Sequence, residues 1–133
     1  MSILRTSISA LPRGHEFQSA SFVVDAEQVR AYLQAIGDAN DYAGAVPSLA
    51  VAALGLSALQ AQIALPEGSL HTGQEVEHLC LAQAGETLTL TGRIAQRSER
   101  QGFVISVIEF EVATVAAVAI RARTTLMAPG NAS

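Results

Sequence analysis

A polar segment between two apolar stretches holds the side chains best suited to acid/base chemistry. Positions 38–46 read Asp-Ala-Asn-Asp-Tyr-Ala-Gly-Ala-Val, which is rich in turn-forming residues and predicts a loop. Loops of this kind often carry functional residues. Asp38 could act as a general acid or base, and Tyr42 could donate a hydrogen bond to a carbonyl group. Asn40 and Asp41 could contact a ligand, or all four could be ordinary solvated loop residues.

Two residues outside this loop could complete a site. His71 has an imidazole whose ordinary pKa, about 6.5, suits proton transfer in either direction. Ser48 follows Pro47 at the predicted start of a helix, where its backbone N–H could stabilise an oxyanion. Each has a structural alternative, because a single histidine at the start of a strand can be held by its neighbours and a serine hydroxyl can cap a helix. Catalysis by Asp38 and His71 is therefore a hypothesis.

Charge and cysteine content exclude several classes of function. The net charge is −4, and all eight basic residues are arginine, which weighs against binding to nucleic acid. Five arginines near the end of the chain could form a local anion site or a solvated sheet face. Cys80 is the only cysteine, so an internal disulfide is excluded and a buried, inert thiol is predicted. Asp38, Asp41 and His71 lack the fixed spacing of a metal motif such as H-E-x-x-H, so we expect no metal and no cofactor.

Size and composition predict one folded domain over residues 1–133. This length is typical of a single domain, and 50% apolar with 15% charged residues is enough to form a core. The longest apolar stretch, Val46–Leu65, is interrupted by polar residues and does not supply the roughly 20 apolar residues of a membrane span. Residues 1–13 contain no continuous apolar stretch typical of a secretion signal. We therefore expect a cytoplasmic protein that does not bind membranes.

The first half of the chain predicts a strand followed by two helices. Residues 21–24 favour a strand, and Asp25 with Gln28 forms a capping-box pattern at the start of a helix that Gly37 ends. A second helix is predicted over 48–65. Its apolar residues cover nearly the whole circumference, so we expect a sheet to enclose it. The leucines expected in this core are Leu49, Leu54, Leu56, Leu59 and Leu65.

The second half predicts an antiparallel sheet. Apolar and polar residues alternate over four predicted strands, at about 74–81, 87–96, 103–114 and 117–127. The predicted turns at 83–86 and 98–102 are short, and short connections join antiparallel neighbours. The predicted fold class is therefore α+β, with a curved antiparallel sheet wrapped around one long apolar helix.

At the residue level the chain resembles the MaoC-like hydratase/dehydratase family, in particular the N-terminal domains of fatty-acid-synthase-type dehydratases. Residues 35–40, Ala-Ile-Gly-Asp-Ala-Asn, are similar to the A-x-G-D-x-N of that family, and residues 46–49, Val-Pro-Ser-Leu, to its P-P-T-F. Residues 70–77, Leu-His-Thr-Gly-Gln-Glu-Val-Glu, are similar to L-H-G-x-Q-E-F-E, and residues 84–92 to P-G-D-x-L-x-x-x-G. The matches are short, but their order covers nearly the whole chain.

The resemblance implies a hot-dog fold that binds the thioester of acyl-CoA or acyl carrier protein. It also implies a homodimer or a heterodimer with another hot-dog subunit. Active relatives add or remove water across a 2,3 double bond, with backbone N–H groups at the helix start polarising the thioester carbonyl. The implied substrate-binding residues are Asn40, Asp41, Tyr42, Ser48 and Leu49.

The active motif of these relatives, D-x-N-P-x-H, is incomplete in this chain. Asp38 and Asn40 match it, but Asp41 and Tyr42 replace the next two residues and Ala43 occupies the position of the histidine. The resemblance thus implies a divergent (R)-enoyl hydratase/3-hydroxyacyl dehydratase or, favoured by the missing histidine, the non-catalytic member of a paired dehydratase. Two alternatives stay open: a hot-dog thioesterase in which Asp38 or Asp41 activates water, and a binding module without chemistry.

Overall fold

The computed structural model describes residues 5–39 and 44–130. Within these ranges there are two α-helices, one 3₁₀ turn at Ile8–Ala10 and nine strands. The helices are α1 (Ala26–Ile36) and α2 (Ser48–Gln60). The strands are β1 (Thr6–Ser7), β2 (Ala20–Val23), β3 (Ala45–Val46), β4 (Ile63–Ala64), β5 (Leu70–His78), β6 (Ala82–Gln83), β7 (Thr87–Arg100), β8 (Phe103–Ala113) and β9 (Val118–Pro129).

Five strands form one antiparallel sheet in the order β2-β7-β8-β9-β5, so β2 and β5 are its edges. Along β8 every second residue is buried, from Val104 to Val112, because side chains alternate between the two faces of a strand. The core contains the buried side chains of this face, such as Ile108 and Phe110. The predicted antiparallel α+β architecture is confirmed.

Helix α1 begins and ends where the sequence predicts. The carboxylate of Asp25 accepts a hydrogen bond from the backbone N–H of Gln28 at 2.7 Å, and the side chain of Gln28 accepts one from the N–H of Asp25 at 2.9 Å. This reciprocal pair is a capping box. Gly37 ends the helix with a φ of 71°, a left-handed conformation that glycine adopts without a steric penalty.

Helix α2 lies against the inner face of the sheet and is shorter than predicted. It ends at Gln60 instead of Leu65, and Ile63–Ala64 forms a parallel pair with Thr6–Ser7. Gln62 explains the early end, because its side chain accepts a bond from the N–H of Gln18 at 2.8 Å and donates one to the Gln18 carbonyl at 2.7 Å. Tertiary hydrogen bonds therefore replace the last turn of the predicted helix.

The sheet encloses α2 on one side only within the protomer. Leu59 is completely buried, but Leu49 is 69% exposed and Leu54 is 37% exposed. Ala53 and Ser57 are exposed as well. Positions 49, 53 and 57 follow one another at four-residue spacing and share one side of the helix. The sheet covers the opposite side, and we call the set Leu49, Ala53, Leu54 and Ser57 the open stripe of α2.

Several strand boundaries differ from the predictions. Strand β5 runs over Leu70–His78, not over 74–81, so Cys80 lies after the strand. The Cys80 thiol is half-buried and donates to the Val118 carbonyl at 3.3 Å, which corrects the prediction of a buried strand residue. Strand β7 continues to Arg100, and the turn to β8 is made by Gln101 and Gly102 with φ values of 51° and 84°. Two left-handed residues match the twist of a tight hairpin.

Ion pairs cover the outer face of the sheet. Arg93 and Arg123 both contact Glu109, at 3.2 and 3.5 Å. Arg121 contacts Glu111 at 3.4 Å and Glu77 at 3.8 Å. Because these arginines already face carboxylates on neighbouring strands, the solvated face is favoured over the anion site.

The two ends of the described chain meet beside β8 and β9. The hydroxyl of Ser9 donates to the Pro129 carbonyl at 2.7 Å, and Arg97 donates to the Ser9 carbonyl at 2.9 Å. The 3₁₀ turn that contains Ser9 is thereby fixed to β7 and to the end of β9.

Candidate functional site

The start of α2 is positioned by two short strands. Strand β3 immediately precedes the helix and pairs with β6, with Val46 opposite Ala82. Since β6 follows β5 after three residues, this pairing brings the end of β5 to the first turn of α2. Pro47 occupies the cap position, and the first N–H groups of a helix have no partner within the helix itself.

A serine and a histidine contact each other at this point. The Oγ of Ser48, the first residue of α2, lies 2.8 Å from Nδ1 of His78, the last residue of β5. Ser48 is partly exposed and His78 is exposed. A hydroxyl and an imidazole at hydrogen-bond distance form an arrangement that can hold or transfer a proton.

The sequence analysis did not select His78 for this site. The two residues are 30 positions apart, and the two-residue strands that bring them together carry no detectable pattern. The available signal was the strand motif at 70–77, which ends one residue before His78. If the predicted strand had been given an end at His78, this histidine would have been a candidate for a contact with the predicted helix start.

His71 lies at the other end of β5. Its Nε2 is 2.7 Å from Oγ1 of Thr124, a fully buried residue of β9, and this hydroxyl also donates to the Gly73 carbonyl at 3.4 Å. Seven positions of strand separate His71 from His78, or roughly 23 Å at about 3.3 Å per residue. His78 is therefore the histidine of β5 that contacts the start of α2, and the role predicted for His71 stays a prediction. The contact with Thr124 is the structural alternative considered for His71.

Asp38 follows the end of α1 and is partly buried. Its backbone N–H donates to the Leu33 carbonyl at 2.9 Å, which is part of the helix cap that Gly37 makes. Asn40, Asp41 and Tyr42 lie outside the described residues, as does Ala43. Their predicted roles therefore stay predictions.

Exposed apolar residues follow both members of the Ser48–His78 pair in the sequence. Leu49 follows Ser48 and is 69% exposed, while Leu79 and Leu81 follow His78 and are 44% and 55% exposed. We call these three leucines the apolar rim. An apolar surface with a few polar groups is typical of sites for small organic ligands.

A cavity of about 480 Å³ lies elsewhere, between the N-terminal loop and the outer face of the sheet. Its lining includes Phe17, Arg93, Glu109 and Arg121, and it shares no residue with the Ser48–His78 pair or the apolar rim. Charged groups that already pair with one another make it poorly suited to an acyl chain.

Within residues 5–39 and 44–130, no group of three or more histidine, cysteine or acidic side chains could hold a metal ion. Neither α1 nor α2, the helices of those ranges, has the length and apolar content needed to cross a bilayer.

Comparisons with known proteins give matches in structure. No family model matches the chain, and no curated protein matches it in sequence. The (R)-hydratase from A. caviae involved in PHA biosynthesis superimposes with a TM-score of 0.77 at 19% identity, over 90% of this chain and 98% of the hydratase. The MaoC-like dehydratase from Rhodospirillum rubrum gives 0.77 at 15% identity, over 96% and 99%.

A third similar structure is a complex. C-terminally truncated HadBC, a 3R-hydroxyacyl-ACP dehydratase from Mycobacterium tuberculosis, gives a TM-score of 0.69 at 22% identity, over 93% of this chain and 99% of that one. At these identities the similarity shows the fold alone. It extends over nearly the whole length of this chain and of each compared structure. The chain therefore has the hot-dog fold of the (R)-hydratases and MaoC-like dehydratases, as the sequence resemblance implied.

Proposed function

We propose that the chain binds acyl thioesters as a hot-dog protein of the (R)-enoyl hydratase/3-hydroxyacyl dehydratase type, with an incomplete catalytic pair. We further propose that it acts beside a second hot-dog subunit that keeps the full D-x-N-P-x-H motif. The similarity of nearly the whole fold to an (R)-hydratase supports the reaction class. The observation that carries the pairing is the open stripe of α2 next to an unpaired sheet edge.

The open stripe is unusual for a helix this apolar. Leu49 and Leu54 stand out of the protomer, and contiguous apolar surface of this kind marks interaction sites. Strand β5, one edge of the sheet, is nine residues long, and all of them except Val76 are exposed. A long exposed edge leaves backbone groups available to a neighbouring strand.

The Ser48–His78 contact joins the end of β5 to the start of α2, where the open stripe begins. A second hot-dog subunit pairing along β5 would cover both. HadBC, one of the structurally similar proteins, is itself a complex. A second copy of this chain is the other possible occupant, and the partner assay below distinguishes the two.

In the proposed reaction the thioester carbonyl is polarised by N–H groups at the start of α2, and Leu49 contacts the acyl chain. Asp38 serves as an acid or base, with Asn40, Asp41 and Tyr42 contributing to substrate binding. Since Ala43 occupies the position of the histidine, the partner supplies a complete acid/base pair, and this chain contributes part of the acyl-binding surface.

The test follows two signals during incubation with crotonyl-CoA, with and without a candidate partner. Loss of the enoyl absorbance reports hydration, and release of free thiol reports thioester hydrolysis. We expect slow hydration by the chain alone and fast hydration with the partner. Thiol release instead of hydration would indicate a thioesterase. If calorimetry detects no binding of crotonyl-CoA, the chain is a scaffold module without acyl-thioester binding.

A further inference from the structure

The imidazole missing at position 43 has a possible replacement within this chain. We propose that His78, held by Ser48, is a proton-transfer group for an acyl thioester bound at the start of α2. The inference rests on the proposed function and assigns a catalytic residue that the sequence motif does not contain.

The contact with Ser48 fixes one ring nitrogen of His78 and leaves the other for a ligand. Nδ1 lies 2.8 Å from the Ser48 hydroxyl, so Nε2 is not part of this bond. A serine hydroxyl can donate or accept. When the serine accepts from Nδ1–H, Nε2 of the neutral ring has a free lone pair and is a base; after Nε2 takes a proton, the imidazolium still donates Nδ1–H to the serine, and its Nε2–H is the acid. Ser48 can therefore hold the ring through both halves of a proton transfer.

The surroundings of His78 suit an acyl ligand better than those of His71. His78 is exposed and is followed by Leu79 and Leu81 of the apolar rim, with Leu49 next to Ser48. At His71 the Nε2 nitrogen is already bonded to the buried Thr124. Both histidines are exposed, but it is His78 that contacts Ser48 at the start of α2, where the thioester is proposed to bind.

The proposed step is the addition of water to a 2-enoyl thioester. Nε2 of His78 takes a proton from water while the water oxygen bonds to C3, and the electrons of the C2–C3 double bond move to give the thioester enolate. The imidazolium then returns the proton to C2, which restores the carbonyl and the neutral ring. The product has gained one hydroxyl and one hydrogen, and no other reactant is needed.

The test begins with binding. Isothermal titration of the parent protein with crotonyl-CoA comes first, because failure to bind would overturn the proposed function and the role of His78 together. Hydration is then measured at high enzyme concentration for the parent, His78→Gln and Ser48→Ala. We expect His78→Gln to lose about 10²–10⁴-fold in rate with crotonyl-CoA binding retained, the range for a single acid/base group.

The control variants are Ser98→Ala, an exposed serine of β7, and His15→Gln, a histidine of the N-terminal loop that packs edge-on against Phe17. Both should keep the parent rate. Ser48→Ala should alter the pH profile of hydration and the ¹⁵N shifts of the His78 ring, which a merely structural serine would not do.

Three results would overturn the assignment while leaving acyl-thioester binding intact. The first is a parent that binds crotonyl-CoA but never hydrates it. The second is an unchanged rate in His78→Gln. The third is a stable acyl adduct on Ser48 in peptide mass spectra, which would make the serine a nucleophile and His78 its base.

Discussion

Gly55 of α2 lies directly against Val112 of β8. A Cβ atom at position 55 would be 2.7 Å from Cγ2 of Val112 and 3.2 Å from Cε2 of Phe110, closer than packed atoms allow. Glycine therefore sets the distance between the helix and the sheet. Gly55→Ala should destabilise the protein by about 1–3 kcal/mol, because overpacking outweighs the better helix propensity of alanine. Urea unfolding measures this change.

The matched control is Ser57→Ala, two residues later on the open stripe. It adds helix propensity without adding atoms to the core, so its unfolding free energy should equal or exceed that of the parent. A stabilised Gly55→Ala variant would mean that α2 stands further from β8 than described.

Leu59 and Leu54 offer a direct comparison within one helix. Leu59 is completely buried and Leu54 is 37% exposed. Leu59→Ala should cost about 2–5 kcal/mol, the usual range for a buried leucine, whereas Leu54→Ala should cost clearly less in the isolated protomer. Equal losses in thermal unfolding at low protein concentration would contradict the exposure of the open stripe.

The open stripe and β5 predict an assembly of at least two subunits. A light-scattering mass near that of one chain, 13.9 kDa, at micromolar concentration would contradict self-association. Leu54→Glu should weaken the assembly because it places a charge in the covered surface. Val115→Glu is the control, since Val115 is 93% exposed in the turn between β8 and β9. Equal masses for the two variants would locate the interface elsewhere.

On the proposed function, in which Ala43 occupies the position of the catalytic histidine, turnover of crotonyl-CoA by the isolated chain should lie orders of magnitude below that of a complete acid/base pair. A turnover number of about 10 per second or more, near the median for enzymes, would refute the incomplete pair. Asp38→Asn should lower the remaining rate further if the carboxylate takes part. A rate that survives both Asp38→Asn and His78→Gln would indicate the wrong residues.

His71 is expected to contribute to stability. Its bond to Thr124 joins β5 to β9, and a typical hydrogen bond of this kind contributes about 0.5–1.5 kcal/mol. His71→Gln should therefore lower the melting temperature by a few degrees, measured by circular dichroism. An unchanged melting temperature together with a fall in hydration would support the catalytic role predicted for this residue.

Local signals in the sequence predicted a large part of the fold. The capping box of Asp25 and Gln28 and the glycine at position 37 define α1 by bonds within a few residues, and alternation along β7, β8 and β9 defines the sheet. The end of α2 could not be predicted this way, because Gln62 bonds to Gln18, a partner 44 positions away.

The candidate site depended on the same kind of distant contact. Ser48 was selected from its place at a helix start, but its partner His78 is brought there by the pairing of β3 with β6. The exposure of Leu49 and Leu54 could not be predicted from the sequence either. An apolar helix has the same sequence pattern whether the side that faces away from the sheet is covered by the same chain or by another subunit.

The contact between Ser9 and Pro129 has a consequence for how the fold can be connected. Since the 3₁₀ turn at Ile8–Ala10 meets the end of β9, a peptide could join the two ends of the described residues, and new ends could be opened in the tight hairpin at Gln101 and Gly102 without breaking the order of the sheet. In such a circular permutant the same strands would still pair with one another, although their order along the chain would differ. A circularly permuted gene would therefore separate the pairing of the strands from their order in the sequence.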